Sequence, residues 1–136
     1  MKQCNETITV LNRRYDAETG RDVWQATVIN GVSWHSEIRA AVTQAGLKDA
    51  KTATVRIPVG ADEGGRSYMP PAAFKAADDT SGAYTLARGD ILVRGDASDA
   101  QSPADAQAAF EDCVTIISAT DNTRRPHGAH RKVVGA

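Results

Sequence analysis

Two histidines and four basic side chains fall in the last seventeen residues, which read TDNTRRPHGAHRKVVGA. Imidazole nitrogens are common zinc ligands, and His127 and His130 are close enough in sequence to share a metal ion. A structural zinc site needs about four ligands, however, and Cys4 and Cys113 have no motif spacing that would complete the set. We therefore expect no metal ion and no cofactor, and we interpret the histidines as part of a solvated or interface segment.

Motifs of catalysis and phosphate binding are missing from the sequence. It has no G-x-S-x-G and no H-E-x-x-H, and its glycine-rich stretch DEGGR lacks the lysine of a phosphate-binding loop. Aromatic residues make up 5% of the chain, too few for a platform on which bases would stack. The sequence therefore predicts that the protein is not an enzyme.

The tripeptide Arg-Gly-Asp occurs twice, at residues 88–90 and 94–96. A role in cell adhesion would need a secreted chain and an exposed loop tip, and no secretion signal follows Lys2. Gly-Asp is also a common turn sequence, and one copy stands at each end of a short apolar stretch. We therefore interpret both tripeptides as turns that flank a strand.

Charge is distributed unevenly along a chain of ordinary globular composition and net charge -1. The C-terminal segment 120–136 has a local balance of +3, because four basic residues stand there against Asp121. Such an asymmetry can steer the segment toward an acidic partner surface. No stretch approaches the roughly 18 apolar residues of a membrane span, so we expect no membrane partner.

Alternation of apolar and polar residues predicts most of the chain to be β-strand. Asn30-Gly31 is a typical signal for a two-residue hairpin turn, and we expect a strand on either side of it. A further loop is expected at QAGLKDA, residues 44–50. The predicted strands lie near 6–13, 22–29, 32–37, 52–57, 90–94 and 113–119, and HRKVVG can pair as a last edge strand.

Residues 58–83 form a long excursion rich in glycine and proline, in which PPAAFKAAD could make one or two helical turns. The stretch SPADAQAAFED begins with Ser102 as a helix cap and Pro103 at the first helical position, which predicts one short helix. The pattern as a whole predicts an all-β fold, a small β-barrel or sandwich of six to eight strands, in a single domain 1–136.

Four stretches resemble, in the same order, a family of small tailed-phage and prophage structural proteins encoded among head and head–tail joining genes. They are YDAETGRDVWQATVINGVSW, TATVRIP, YTLARGDILVRGD and FEDCVTIISATDNTRRPHGAHRKVVGA. The resemblance implies a virion protein of the neck that assembles as a ring and acts as a stopper or connector in head completion. A tail terminator or another tail-associated ring protein is the alternative, and a prophage-encoded enzyme or small-molecule binder is a third hypothesis.

The partners implied by this resemblance are other copies of the chain, the portal or adaptor, and tail-side neck proteins, with DNA passing through the ring without sequence-specific binding. The protein would be found in the virion neck, and in the host cytoplasm during assembly. We expect the excursion and the segment 122–134 to contact neighbours, and the excursion to be poorly ordered in the free protein. The expected contact residues are Arg66, Tyr68, Arg124, Arg125, His127, Arg131, Lys132 and Val133.

Overall fold

The computed structural model describes residues 5–16, 18, 20–43, 46–77, 80–100, 102–124 and 129–136. Within these residues it has eight β-strands and two short α-helices. The strands are β1 (Glu6–Asp16), β2 (Arg21–Thr43), β3 (Gly46–Pro58), β4 (Ser67–Tyr68), β5 (Ala83–Tyr84), β6 (Ile91–Arg94), β7 (Cys113–Asn122) and β8 (His130–Gly135). The helices are α1 (Pro71–Ala76) and α2 (Pro103–Ala109). The predicted all-β fold with six to eight strands is confirmed, as is the short helix that begins at Pro103, and α1 lies in the stretch PPAAFKAAD, where one or two helical turns were predicted.

Six of the strands close into a barrel in the order β1-β2-β3-β8-β7-β6, while β4 and β5 form a separate two-stranded parallel sheet. The last strand, β8, pairs antiparallel with β3 on one side and with β7 on the other. The expectation that HRKVVG is an edge strand is therefore wrong. Closure of the barrel requires a strand between β3 and β7, and β8 of the C-terminal segment is that strand.

The barrel interior is filled by the apolar face of each alternating strand. Ile8 and Val10 of β1, for example, are fully buried and pack with Val55 of β3 and Leu92 of β6. Burying one such side chain contributes roughly 1.5–3 kcal/mol relative to leaving it exposed. Val133 of β8 is 0% exposed and belongs to the same cluster, so the C-terminal segment contributes to the core.

Asn30-Gly31 lies inside one continuous strand and does not form the predicted turn. Gly31 has the positive φ that the dipeptide signals, at 84°. In the register of β1 against β2, Glu6 faces Val32 and Thr7 faces Asn30, so Gly31 is an extra residue, a β-bulge. At this bulge β2 leaves β1 and begins to pair with β3, which turns the barrel wall through a corner.

Beyond the barrel, β2 and β3 continue together as a two-stranded ribbon. Residues 37–43 pair with residues 46–52, whereas β8 pairs with β3 only from Ala53 onward. Seven residues per strand at about 3.3 Å each give a projection of roughly 20 Å. The predicted loop at 44–50 is thus too long, because β3 already begins at Gly46. Among the described strands, no third strand pairs with either edge of the ribbon.

The excursion is folded against the barrel and is not one long loop, because it contains β4, α1 and the start of β5; its poor order in the free protein stays a prediction. Its helix α1 inserts Phe74, which is 3% exposed, and its strand β5 ends in the fully buried Tyr84. Thr80, between them, is also buried. A connection of this length is compatible with a compact domain when it forms secondary structure of its own and buries a few large side chains.

Helix α2 lies against the outer face of the barrel wall. Its cap is as predicted, since Ser102 Oγ accepts a hydrogen bond from the backbone N–H of Asp105 at 3.2 Å. Ala106 of α2 packs in a second apolar cluster with Leu11 of β1 and Val93 of β6, whose side chains point away from the interior. The segment that carries α2 is thereby fixed beside the end of β6.

Candidate assembly surfaces

Arg66 holds the excursion to the barrel. Its Nη1 donates to the backbone oxygen of Ala26 and, at 2.8 Å, to Thr27 Oγ1, while its Nε donates to the backbone oxygen of Ser81 at 3.1 Å. These bonds join the start of the excursion to β2 and to the segment before β5. Arg66 was predicted to contact a partner, but in this structure its guanidinium is engaged within the chain.

Tyr68 and Arg131, both predicted contact residues, meet each other at the same end of the barrel. The guanidinium carbon of Arg131 lies 4.0 Å from the centre of the Tyr68 ring, a cation–π contact. The Tyr68 ring is in turn edge-on to Tyr84, with ring centres 5.8 Å apart. Burial raises the pKa of the Tyr68 hydroxyl, and burial, reinforced by the nearby Glu63, raises that of Tyr84 well above its usual range. The cluster joins the excursion to β8, and the hydroxyl groups of both tyrosines remain protonated at neutral pH.

A cleft of about 560 Å³ opens between β1, α1 and the segment that precedes β6; we name it the basic cleft. Four cationic side chains line it, against two carboxylates. The cations are Arg13, Arg14, Lys75 and Arg88, and the carboxylates are Asp22 and Asp90. The surface therefore favours an anionic occupant.

Asp90 is a structural acid within this cleft. It is 5% exposed, accepts from Asn12 Nδ2 at 2.8 Å and from the backbone N–H of Arg13 at 3.2 Å. Burial raises its pKa, and the bonds from Asn12 and Arg13 oppose that rise. Asp90 is also the last residue of the first Arg-Gly-Asp tripeptide, and its burial excludes recognition of that carboxylate by a partner.

The first Gly-Asp pair lies at a hydrogen-bonded turn, as predicted, whereas the second begins at a bend at Gly95. Gly89 and Gly95 both have positive φ, at 93° and 125°, and they bracket β6. Arg94, at the end of β6, pairs with Glu6 at 2.8 Å and with Asp112 at 3.4 Å. The second tripeptide therefore has its arginine engaged in ion pairs within the chain.

A smaller depression of about 260 Å³, which we name the acidic hollow, lies where α2 meets the loop after β6. Among the residues that the structure describes, its lining contains three carboxylates and no cation. The carboxylates are Asp96, Asp99 and Asp105, and the remaining lining residues are Ala97, Ala100, Ala109 and Phe110. Asp96 accepts from the backbone N–H of Ser98 at 3.0 Å, and hydrogen bonds from Ser98 lower its pKa, so it is ionised at neutral pH.

The remaining predicted contact residues are distributed between core and surface. Val133 is a correction: its side chain is fully buried and unavailable to a partner. Arg124 is exposed at the end of the β7–β8 hairpin, and Lys132 is half-buried on β8. Arg125 and His127 lie outside the described residues.

His130 is 4% exposed, and its Nε2 lies 3.4 Å from Asn122 Nδ2 on the paired strand. In the part of the chain that the structure describes, no three histidine, cysteine or acidic side chains are grouped as metal ligands would be. Over the same part, no helix is long and apolar enough to cross a membrane. Cys113, described as a free thiol, is partly buried against the α2 cluster.

Sequence reasoning missed the basic cleft and the acidic hollow. The cations of the cleft come from β1, α1 and the turn before β6, so no spacing in the sequence links Arg13 to Arg88. The acidic hollow gave a weak signal, because its three aspartates fall within the ten-residue stretch 96–105. Only the fold of the loop over α2 turns this cluster into a concave surface.

The family to which the chain belongs can be stated from its sequence. Residues 3–136 match DUF6751, a family of unknown function. The chain belongs to this family. No curated protein and no solved structure matches it. These comparisons neither support nor contradict the resemblance to tailed-phage structural proteins, so the function of this family member has to be argued from its surfaces.

Proposed function

We propose that this protein is a structural subunit of a tailed-phage particle, which forms a ring in the neck and acts in head completion or head–tail connection. The observation that carries the proposal is the ribbon. Two strands leave a closed barrel and continue for seven residue pairs, with both outer edges unpaired among the described strands. Exposed edges promote unwanted association, and proteins usually cover or blunt them.

Strand addition is the interaction for which such an edge is suited. Backbone N–H and C=O groups of residues 37–43 and 46–52 that face away from the ribbon can pair with a strand of a neighbouring molecule. The rest of the fold supports a scaffold role, since the barrel is closed and both helices are short. The resemblance described above supplies the particle and the place within it. A tail terminator is the second candidate, because it too would use an edge of this kind in a ring.

The test shortens the ribbon in a phage or prophage that encodes this chain. Residues 40–49 are replaced by Asn-Gly, which keeps Arg39 facing Ala50 across a two-residue turn. We expect the purified variant to retain its β-rich circular dichroism, and the phage to yield filled or leaking heads with few joined tails. Wild-type protein supplied in trans is the control and should restore joining.

Normal tail attachment with a folded, shortened chain would reject the role of the ribbon. Absence of the wild-type chain from purified particles, measured by mass spectrometry, would reject the neck proposal itself. A reconstruction that places the chain at the distal end of the tail tube would favour the terminator. Substitution of Arg124 and Arg125 by glutamate in the same phage tests whether the basic segment also joins a partner.

A further inference from the structure

The basic cleft and the acidic hollow lie at opposite ends of the β1–β6 pair. Asp90 of the cleft immediately precedes β6, and Asp96 of the hollow is the second residue after it. Arg13, near the C-terminal end of β1, lines the cleft. Nearer the other end of β1, Thr9 Oγ1 accepts a hydrogen bond from the backbone N–H of Ala97, a residue of the hollow, at 2.7 Å. The barrel wall is therefore positive at one end of this pair and negative at the other.

The cleft has the charge and the size to take a protein loop. Its cations outnumber its carboxylates, and one of these carboxylates, Asp90, is already bonded to Asn12 and to the backbone of Arg13. Its floor includes the Thr85 hydroxyl, a buried oxygen with no hydrogen-bond partner among the described residues. A volume of about 560 Å³ exceeds what a single small anion fills.

The acidic hollow has the complementary chemistry. Arg94 is paired with Glu6 and Asp112 outside it, so no cation from that side enters the lining. Ala100 and Phe110 offer an apolar wall to the stem of an incoming lysine or arginine, whose charged end can then reach Asp99. Contact between charged groups of opposite sign in this arrangement sets both the rate of encounter and the register.

We propose that the exposed loop beside the acidic hollow of one copy, which carries Asp96, Ser98 and Asp99, docks in the basic cleft of the next copy. The contact is heterologous, since different surfaces meet, and repetition of it closes a ring or continues as a filament. The proposal rests on the proposed function in that both require self-assembly, and it names the surfaces through which copies join. Each copy then uses one cleft and one hollow, and the ribbon remains available to a neighbour in the particle.

The test uses two charge-reversal variants of the full chain. The cleft variant is Arg13→Glu with Arg88→Glu, which leaves Arg14 and its bonds to Ala77 and Thr80 in place. The hollow variant is Asp99→Lys with Asp105→Lys. Two single substitutions at exposed residues outside both linings are the matched controls: Arg21→Glu and Gln107→Lys. Folding of all variants is checked by circular dichroism and thermal melting.

Sedimentation velocity at low and high salt measures association. Wild type and both controls should self-associate at about 50 mM salt and weaken in high salt, since screening acts over about 10 Å at 0.1 M. Each reversal variant should associate at least about tenfold more weakly. An equimolar mixture of the two should regain higher assemblies, because the unchanged cleft meets the unchanged hollow and the two reversed surfaces also have opposite charges. A chain with both reversals should regain higher assemblies, since its charges are again complementary.

Self-association that is unchanged in both folded reversal variants would overturn the proposal. So would a mixture that associates no more strongly than either reversal variant alone, or a cleft variant that keeps self-association and loses only its binding to inorganic phosphate or duplex DNA. If the hollow variant does not fold, Asp99→Lys alone replaces it in the mixture. If charge reversal leaves self-association unchanged but the chain is found in the particle neck, the proposed contact is rejected and the proposed function stands. If charge reversal weakens self-association but the chain is absent from the particle, the role in the neck is rejected and the contact stands.

Discussion

Asn12 connects the barrel to the segment that covers its end, and its substitution should reveal how far the fold depends on that connection. The side chain is fully buried. Its Nδ2 donates to the backbone oxygen of Thr85 at 2.6 Å and to Asp90 Oδ2 at 2.8 Å, and its Oδ1 accepts from the backbone N–H of Thr85 at 3.1 Å. Asn12→Leu keeps the approximate volume and removes all three bonds.

The magnitude follows from the groups left without partners. A buried donor or acceptor that loses its bond costs about 1–3 kcal/mol, so three such groups cost at least about 3 kcal/mol. The apolar side chain of leucine returns roughly 1–2 kcal/mol of burial. The lower limit of about 3 kcal/mol, less this return, leaves a net loss of at least about 1–2 kcal/mol, against the 5–15 kcal/mol typical of a domain.

The loss should also depend on pH, through Asp90. Burial raises the folded-state pKa of Asp90 above its usual 3.8, and the bond from Asn12 opposes that rise. A raised folded-state pKa means that Asp90 favours folding most when protonated, and that this contribution is lost as pH rises through the folded pKa. Asn12→Leu removes a bond that favours the carboxylate, so its destabilisation should be larger at about pH 7 than at about pH 4.

Urea denaturation of wild type and Asn12→Leu at the two pH values measures both effects. Thr7→Ala on the same strand is the control, because it removes an exposed bond to Asn30 Oδ1 and should cost less than about 1 kcal/mol. A loss below about 1 kcal/mol for Asn12→Leu, or an equal loss at both pH values, would refute the reasoning about this network.

Two further predictions concern packing and the buried thiol. A Cβ on Gly135 would lie 2.6 Å from Val114 Cγ2 and 3.0 Å from the backbone oxygen of Thr115, so Gly135→Ala should lower the free energy of unfolding by about 1–3 kcal/mol. Gly82→Ala is the control and should change it by less than about 0.5 kcal/mol, because a Cβ there would meet no atom within 4 Å. Equal shifts in the melting temperatures of the two variants would contradict this prediction. Burial raises the pKa of the Cys113 thiol, so iodoacetamide should label it, in a Cys4→Ser background, at least about tenfold more slowly in the folded protein than in urea, and equal rates would count against it.

Local pattern predicted which residues form strands, and non-local pairing decided what the strands do. The alternation around Ile8 and Val10 follows from the two-residue period of a strand with one buried face, so it was legible in the sequence. Asn30-Gly31 shows the limit. A positive φ serves a hairpin turn and a β-bulge equally well, and the choice depends on the partner strand β1, which pairs on both sides of Gly31.

The excursion was misjudged for a related reason. Glycine and proline indicate chain reversals, and the few large side chains between them give little sign of a core. Phe74 and Tyr84 are nevertheless buried, and Tyr84 packs in the apolar cluster of the barrel interior, a surface to which several strands contribute. Such a surface exists only after the barrel closes, so no local rule anticipates it.

The fold also divides the C-terminal segment into structural and available parts. Val133 is in the core, Arg131 lies over the Tyr68 ring, and His130 is buried beside Asn122. Changes at these positions would disturb the barrel before they disturbed an interface. Arg124 is exposed at the tip of the β7–β8 hairpin, and among the described residues of the predicted contact set it is therefore the position at which charge reversal reports on a partner with least effect on folding. In the sequence these residues form one basic segment, whereas in the barrel some are held in the core and Arg124 is exposed to solvent.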